Sequence, residues 1–408
     1  MTKVLFLTPE LPWPPHSGGR IKSAKLVEYL GQQYQLDVGC LLKGSDSDHL
    51  QGFATAALAE EIITEPVDVA RSPINLIRSV QQGMPLNVYR THSREFARKI
   101  HRRIDDYDAV FVDHYEMMQY VPDSFNKPVI LHQHNAYHVL WQRYAQYGKG
   151  LLIRSAAWFE SKRVKNYEAM VCNRADLVFA APNDMDKLAG IGVELRKLAP
   201  TMHLGDDNQL KLPRLRWSAT TASLLYVGHL KWEPNVQGLI WFLKESWPTL
   251  KERYPELKLN IVGADPDHRL IELTAGDSRV TLQGFQEHLE PWIKSSRVFI
   301  APLLMGSGTK VKVINALTRG IPTVTTPVGA EGLGVKHLRE LAIAESAEEM
   351  TSHISSLISN RSLWQRMVVR SQRAAARKFT WSRVLGRMQE DLDALLPRPV
   401  SEVLNKAA

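Results

Sequence analysis

Short apolar runs alternate with longer amphipathic stretches along almost the whole chain. Val4-Leu5-Phe6-Leu7-Thr8 is continuously apolar and stops at Pro9, the pattern of a strand buried on both faces of a parallel sheet. A loop with Pro12, Pro14, Pro15, Gly18 and Gly19 follows, and Ile21, Ala24, Leu26, Val27 and Leu30 then recur at helical spacing up to Gly31. Leu36–Leu42, Ala109–Asp113, Val129–His132 and Leu177–Ala181 read as further strands, with helical stretches between them such as Leu151–Asn173. This βαβα rhythm predicts an α/β fold built on an open, mostly parallel, doubly wound sheet covered by helices on both faces.

The rhythm stops near His203–Ser223, a polar segment without periodicity, and then restarts. Leu224–Val227, Leu257–Gly263, Val280–Leu282, Val298–Ala301 and Thr323–Thr325 are predicted strands. Val236, Leu239, Ile240, Leu243 and Trp247 form one stripe of a helix over Asn235–Tyr254, which Pro248 should bend. From Ala347 to Leu396 the pattern is helical. The expected division is a first domain over 1–205, a linker over 206–222, a second domain over 223–378, and a helix over 379–408 packing back on the first. Ligands of such sheets bind at the C-terminal strand ends, and two of these edges are expected to face each other across a cleft.

Composition narrows the class. The 408 residues carry 51 Lys+Arg against 43 Asp+Glu, a net charge of +8, with 44% hydrophobic and 23% charged residues. That balance is globular and argues against disorder. Two cysteines, Cys40 and Cys172, in no metal-ligand spacing fit a reducing compartment. The apolar run Val4–Leu7 is too short for a signal-peptide core, and no stretch approaches the ~20 apolar residues of a bilayer span. A cytoplasmic location is therefore expected.

The most informative stretch is Ala301–Gly332, APLLMGSGTKVKVINALTRGIPTVTTPVGAEG. A strand runs into Gly306-Ser307-Gly308-Thr309, and a helix carrying Val311, Ile314, Ala316 and Leu317 follows. Glycines at a strand-to-helix turn uncover backbone N–H groups, and the helix N-terminus adds partial positive charge, which suits a diphosphate. Lys310 and Lys312 fall in the first turn, where cations oppose the helix dipole unless an anion is present. The plainer reading is a tight turn with two solvated lysines. A second glycine loop, Gly329-Ala330-Glu331-Gly332, favours phosphate binding.

This run resembles the signature of the family 4-type glycosyltransferases of the GT-B fold. Tyr226-Val227-Gly228, Trp232-Glu233-Pro234-Asn235, Ile261-Val262-Gly263, Gly284 and the opening Pro15-His16-Ser17-Gly18-Gly19-Arg20 look like further landmarks, in the family's order over roughly residues 1 to 335. The resemblance implies two Rossmann-like domains with the active site between them, a nucleoside-diphosphate-sugar donor, a hydroxyl acceptor, retention of configuration and no metal or other cofactor. By that resemblance Gly308, Thr309, Lys310 and Lys312 would hold the diphosphate, Asn315 the ribose, and Glu331 would lie near the nucleotide or sugar. Two departures stand out. Ser307 and Asn315 occupy the places of the family's paired glutamates, and His229 and Pro234 those of its usual arginine and lysine. Lys231, or the pair Lys310 and Lys312, would then supply the positive charge.

In the first half, His132, His134 and His138 cluster at a strand end, with Asn135 beside His134. By the resemblance His134 is the catalytic histidine near the transferred sugar, and His114, after Asp113, would meet the acceptor together with Asn135. A histidine satisfied in a polar turn is the competing reading. Gly18 and Gly19 would turn N–H groups toward the donor phosphates, or simply cap a helix.

Asp46-Ser47-Asp48 and Asp265-Pro266-Asp267 match a metal-holding DxD pattern, but two such matches are expected by chance. The histidines lack HExxH spacing and no GxGxxG follows a strand, which argues against a zinc hydrolase and a nicotinamide dehydrogenase. Arg90, Arg94, Arg98, Lys99, Arg102 and Arg103 surround a stripe of Phe96, Ile100 and Ile104. That stretch is either a solvated helix packed on its own sheet or a contact with an anionic membrane, where a lipid-linked acceptor would reside. No interleaved aromatics point to nucleic acid. The expected activity is transfer of a sugar to a glycan or lipid-linked acceptor in surface-polysaccharide synthesis. The rival readings are a nucleotide-sugar epimerase and an inactive relative that keeps only donor binding.

Overall fold

The computed structural model describes residues 1–15, 18–56, 59–147, 150–306 and 308–396. Two compact units are present. One runs from Met1 to His203 and includes the chain from Ser382 onward; the other is Leu204–Trp381.

The first unit holds a seven-stranded sheet in the order β3-β2-β1-β4-β5-β6-β7, parallel at every pairing. The strands are β1 (Lys3–Thr8), β2 (Gln35–Leu42), β3 (Glu61–Pro66), β4 (Ala109–Asp113), β5 (Val129–His132), β6 (Leu177–Ala180) and β7 (Leu198–Pro200). The central strands are buried throughout, apart from Lys3 at the start of β1, which is why they read as apolar runs. The strand order reverses between β1 and β4, the switch point at which ligands of such sheets bind. The helix Trp381–Leu395 belongs largely to this unit: Gln389 donates to the Tyr34 hydroxyl, and Met388 lies beside the Lys22 ammonium.

The second unit holds a six-stranded parallel sheet in the order β10-β9-β8-β11-β12-β13. Its strands are β8 (Ser223–Val227), β9 (Lys258–Val262), β10 (Val280–Leu282), β11 (Val298–Ala301), β12 (Thr323–Thr325) and β13 (Ala342–Ile343). Its switch point lies between β8 and β11. The helix expected over Asn235–Tyr254 is three pieces, Glu233–Trp241, a π-helical turn over Phe242–Ser246, and Trp247–Arg253. Pro248 lacks the N–H that would continue the regular ladder, and the wider turn absorbs the break. The polar stretch before β8 is packed on this unit. Arg297 lies 3.5 Å from the Trp217 ring centre and donates to the Thr220 carbonyl, and Trp217 packs edge-on against Trp364.

The basic stretch of the first unit forms the helix Arg94–His101, with its apolar stripe turned inward. Phe96, Ile100 and Ile104 lie in the core, while Lys99 and Arg103 pair with Glu65 and Glu61. The stripe thus has no apolar face to offer a membrane, and the packed-helix reading is the one that holds.

Candidate functional site

Two groups of candidate residues arise at the two switch points, one in each unit. In the first unit the centre is Asp113, the last residue of β4 and fully buried. Its Oδ1 accepts from His132 Nδ1 at 2.7 Å and from His134 Nε2 at 2.6 Å. Its Oδ2 accepts from the hydroxyls of Ser23 at 2.5 Å and Thr8 at 3.4 Å. Burial works against the charged form, but facing His134 and His114 and the hydrogen bonds from His132 and His134 outweigh it and hold Asp113 well below the usual carboxylate range. An ionised carboxylate only accepts, so His132 Nδ1 and His134 Nε2 donate. In the neutral ring the lone pair of His134 then sits on Nδ1. Gly19 borders that atom: a Cβ at position 19 would lie 3.7 Å from it.

His114 follows with φ +75, a backbone conformation that side-chain-bearing residues seldom adopt. Its ring stacks on that of His134 with centres 3.5 Å apart, and its Nδ1 lies 3.1 Å from the Tyr137 hydroxyl, to which Asn135 also hydrogen-bonds. Burial holds His114 and His203 well below the ordinary histidine range, and takes His132 down to about 3. The buried Lys22 ammonium, bonded to the Thr201 hydroxyl and Met202 carbonyl, is lowered to about 7 by desolvation against the opposing pull of Asp113. The structure thus brings His134, His114 and Asn135 together, with Gly18 opening the helix that carries Gly19.

Metal-ligand spacing occurs in this cluster: His132, His134 and His203, and separately Asp113, His114 and His134, offer ligand atoms within 4.8 Å of one another. Near-parallel stacking of His114 on His134 sets their nitrogens side by side instead of aiming them at a common point. The DxD aspartates are engaged elsewhere. Asp46 pairs with Arg20 at 3.0 Å and accepts from the Lys43 N–H, while Asp267 caps the helix His268–Thr274 and pairs with Arg269.

In the second unit, β11 leads through Gly306 and Gly308, at φ +145 and +66, into the helix Val311–Arg319. Ser307 lies outside the described residues. Glycine alone takes these dihedrals without strain, so the loop can turn sharply at the helix entrance. Lys310 stands at the N-cap, and its own side chain does not cap this end. Its ammonium reaches back to the Gly308 carbonyl at 2.7 Å and lies 3.7 Å from Glu331 Oε2. Glu331 is placed by a short helix, Pro327–Ala330, after β12. Thr309 is partly buried in the same loop.

Lys312 points to the end of β8. Its ammonium donates to the Tyr226 hydroxyl and to Asn235 Oδ1, both at 2.7 Å, and desolvation lowers it to about 7. Gly228 leaves room for this group: a Cβ there would stand 2.7 Å from Lys312 Nζ and 2.9 Å from the Tyr226 hydroxyl and would push the ammonium aside. Lys231 is exposed in the turn beyond. Asn315, one turn along the helix from Lys312, packs on the backbone of Gly205, and its buried Oδ1 has no hydrogen-bond partner among the described residues.

Several participants escape the sequence. Asp113 reads as a strand end, although its role as hub needs Thr8, Ser23, His132 and His134 from four separate segments. Lys22 and His203 carry no motif at all. Tyr226 and Asn235 stand among the family landmarks, but their grip on Lys312 shows only in three dimensions.

Residues 221–360 match the family model described as glycosyl transferases group 1. A 44.6 kDa protein of the cps region of Klebsiella pneumoniae is 23% identical over 371 residues, 88% of this chain and 92% of that one. HepE of Anabaena, solved in complex with UDP, superposes with a TM-score of 0.69 at 16% identity, covering 97% of this chain and 100% of the other. The lipopolysaccharide outer core galactosyltransferase WaaB, in its apo form, gives a TM-score of 0.63 at 13% identity, again over 97% and 100%.

Proposed function

We propose, for a chain that is a GT-B glycosyltransferase by fold and by the group 1 family of its second unit, that it transfers a sugar from a nucleoside diphosphate to a hydroxyl of a surface-polysaccharide precursor, with retention of configuration. The observation that carries this reading is the helix Val311–Arg319. Lys310 stands at its entrance as an N-cap residue that does not cap with its own side chain, and the Lys312 ammonium donates to two neutral oxygens. A cation desolvated to about 7 in such a place is stabilised when an anion arrives, and the positive end of the helix dipole favours the same anion. A departing diphosphate develops negative charge, so groups that hold it in the ground state also stabilise the transition state.

Three relatives supply the substrate classes. HepE of Anabaena is described in complex with UDP-glucose, which makes uridine nucleotides the first donors to try. The cps-region relative and the galactosyltransferase WaaB favour a capsule- or lipopolysaccharide-type acceptor. In the first unit His134 is the candidate group for the reacting sugar. Asp113 is its positioning residue, because it fixes the tautomer and the ring together. His114 and Asn135 are candidates for the acceptor side.

Calorimetry with UDP-, GDP- and dTDP-sugars on the wild type and on Lys310→Met/Lys312→Met tests the donor reading. One nucleotide bound selectively, and weakened about a hundredfold or more by the double change, is expected from two charge-assisted contacts. No binding by any of them overturns the donor site. A second reading, a donor-binding protein without turnover, draws on Asn315, which brings no charge to the place of a family glutamate. Binding without sugar release or transfer would establish it.

A further inference from the structure

Among the described residues, the largest concentration of exposed apolar side chains lies on two neighbouring helices of the first unit. Leu151 and Leu152 are 79% and 88% exposed, and Ile153, Trp158, Phe159 and Met170 of the same helix, Leu151–Arg174, are also exposed. Leu151 and Trp158 recur seven residues apart, as do Leu152 and Phe159, so the first two turns carry an outward apolar stripe. The helix Pro73–Gln81 adds Ile74, Ile77 and Val80, all exposed. The two helices are joined where Arg163 donates to the Ser79 hydroxyl and carbonyl.

Charge identifies the occupant. The helix Pro73–Gln81 contains no acid, and both acids of Leu151–Arg174, Glu160 and Glu168, are fully buried and engaged. Glu160 receives Leu86 N–H and Arg163; Glu168 receives Gln133, Tyr137 and His138. The exposed charges on these helices are therefore Arg78, Arg154, Lys162 and Lys165, all positive. The Lys162 ammonium rests 3.7 Å from the centre of the Trp158 ring, the arrangement in which an apolar body enters an interface while the cation stays at headgroup level. A protein partner covering leucines and tryptophan would not by itself call for a one-signed rim; an anionic lipid surface calls for both features. None of the described helices is long and apolar enough to cross a membrane, so the contact is peripheral.

We propose that the face formed by helices Pro73–Gln81 and Leu151–Arg174 docks on an anionic phospholipid bilayer. This rests on surface chemistry alone and stands whether or not the donor reading holds. The experiment is flotation of the full chain with phosphatidylcholine vesicles, with and without about one third phosphatidylglycerol, alongside sedimentation of the protein alone. Binding to the anionic vesicles, weakened by salt, is expected. Leu151→Ser/Leu152→Ser/Trp158→Ser should reduce it at least about tenfold, and Arg154→Gln/Lys162→Gln/Lys165→Gln comparably. Arg94→Gln/Arg98→Gln/Arg102→Gln, on the basic helix whose apolar stripe is buried, should leave it nearly unchanged. All the substituted side chains are exposed, so the fold is retained, as unchanged melting would confirm. Absence of vesicle binding, equal binding to neutral vesicles, or indifference to the apolar triple would overturn the proposal. So would a wild-type dimer that the apolar triple splits into monomers, since a second copy would then cover the face.

Discussion

The two candidate centres handle buried charge in opposite ways. Around Asp113 the charge is answered from within: one carboxylate meets four donors, and burial disfavours the cationic forms of His114 and His132. At the entrance of the helix Val311–Arg319, cations sit at the helix end that repels them, and Lys312 is answered by two uncharged oxygens. The first arrangement meets its carboxylate in full, which suits holding His134 in one orientation, while His132 Nε2 stays buried without a partner among the described residues. The second is costly as it stands and would be relieved by a bound anion. One unit balances its buried charge internally and the other leaves a cation answered by neutral groups, and both preorganisation and uncompensated charge are ways in which proteins prepare sites.

The sharpest way to break the contrast is to delete the charge in each centre. Asp113→Ala strands the buried donors of His132, His134 and Ser23, and should cost about 3–5 kcal/mol, read as a large fall in Tm. Asp113→Asn keeps the shape but offers an N–H where an acceptor is needed. It should fold and lose transfer activity with donor affinity little changed, a kcat effect that a merely structural role would not produce. Lys312→Met should do the reverse, abolishing most nucleotide affinity while raising Tm by a few degrees. The gain has a predictable pH dependence. Lys312 is lowered from 10.5 to about 7 in the folded chain, so its burial cost is absent above pH 10.5, grows as pH falls toward 7 and is complete below. Melting curves of wild type and variant should diverge over that window as pH falls. A Lys312→Met variant that melts lower than wild type at pH 7 would contradict the argument.

The same shift governs binding. A bound diphosphate raises the Lys312 pKa, so nucleotide binding takes up a proton above pH 7, and affinity falls as pH rises through about 7. Calorimetry at pH 8 in buffers of different ionisation enthalpy would read the uptake directly, and Lys312→Met should remove it. Gly228→Ala is a milder test. A methyl group 2.7 Å from Lys312 Nζ must displace the ammonium from Tyr226 and Asn235, and roughly a tenfold loss of nucleotide affinity is expected with the fold kept.

How far the sequence carries depends on how local the cause is. Five strands, Ala109–Asp113, Val129–His132, Val280–Leu282, Val298–Ala301 and Thr323–Thr325, are legible to the residue. Most are short apolar runs bounded by polar or proline residues. Three edge or near-edge strands, Glu61–Pro66, Leu198–Pro200 and Ala342–Ile343, are not. The first is half exposed and carries a glutamate near each end, so no apolar run forms, and the other two are too short for a period to register. The phosphate-loop candidate is legible because glycines, lysines and a helix start are consecutive in the chain. The Asp113 hub is not, because Thr8, Ser23, Asp113 and His134 converge only through the sheet, and His203 joins them from near the end of the unit.

Asn315 gives the smallest and most discriminating test, because there the two modes of handling polarity meet in one residue. It lies on the same helix as Lys312, yet it is packed in the manner of a structural residue: a Cβ on Gly205 would fall 1.8 Å from its Oδ1. That oxygen is nonetheless buried without a partner among the described residues, which costs free energy unless a ligand or water supplies a donor. If a ribose hydroxyl supplies it, Asn315→Ala should weaken nucleoside diphosphate binding a few-fold and leave inorganic diphosphate binding unchanged, since only the former carries a ribose. If the residue merely packs, the variant should bind both ligands as the wild type does. In that case its gain from removing an orphaned acceptor would offset its loss of contact with Gly205, and Tm would barely move. The comparison of the two ligands separates a neutral substitute for an acidic ribose contact from a remnant.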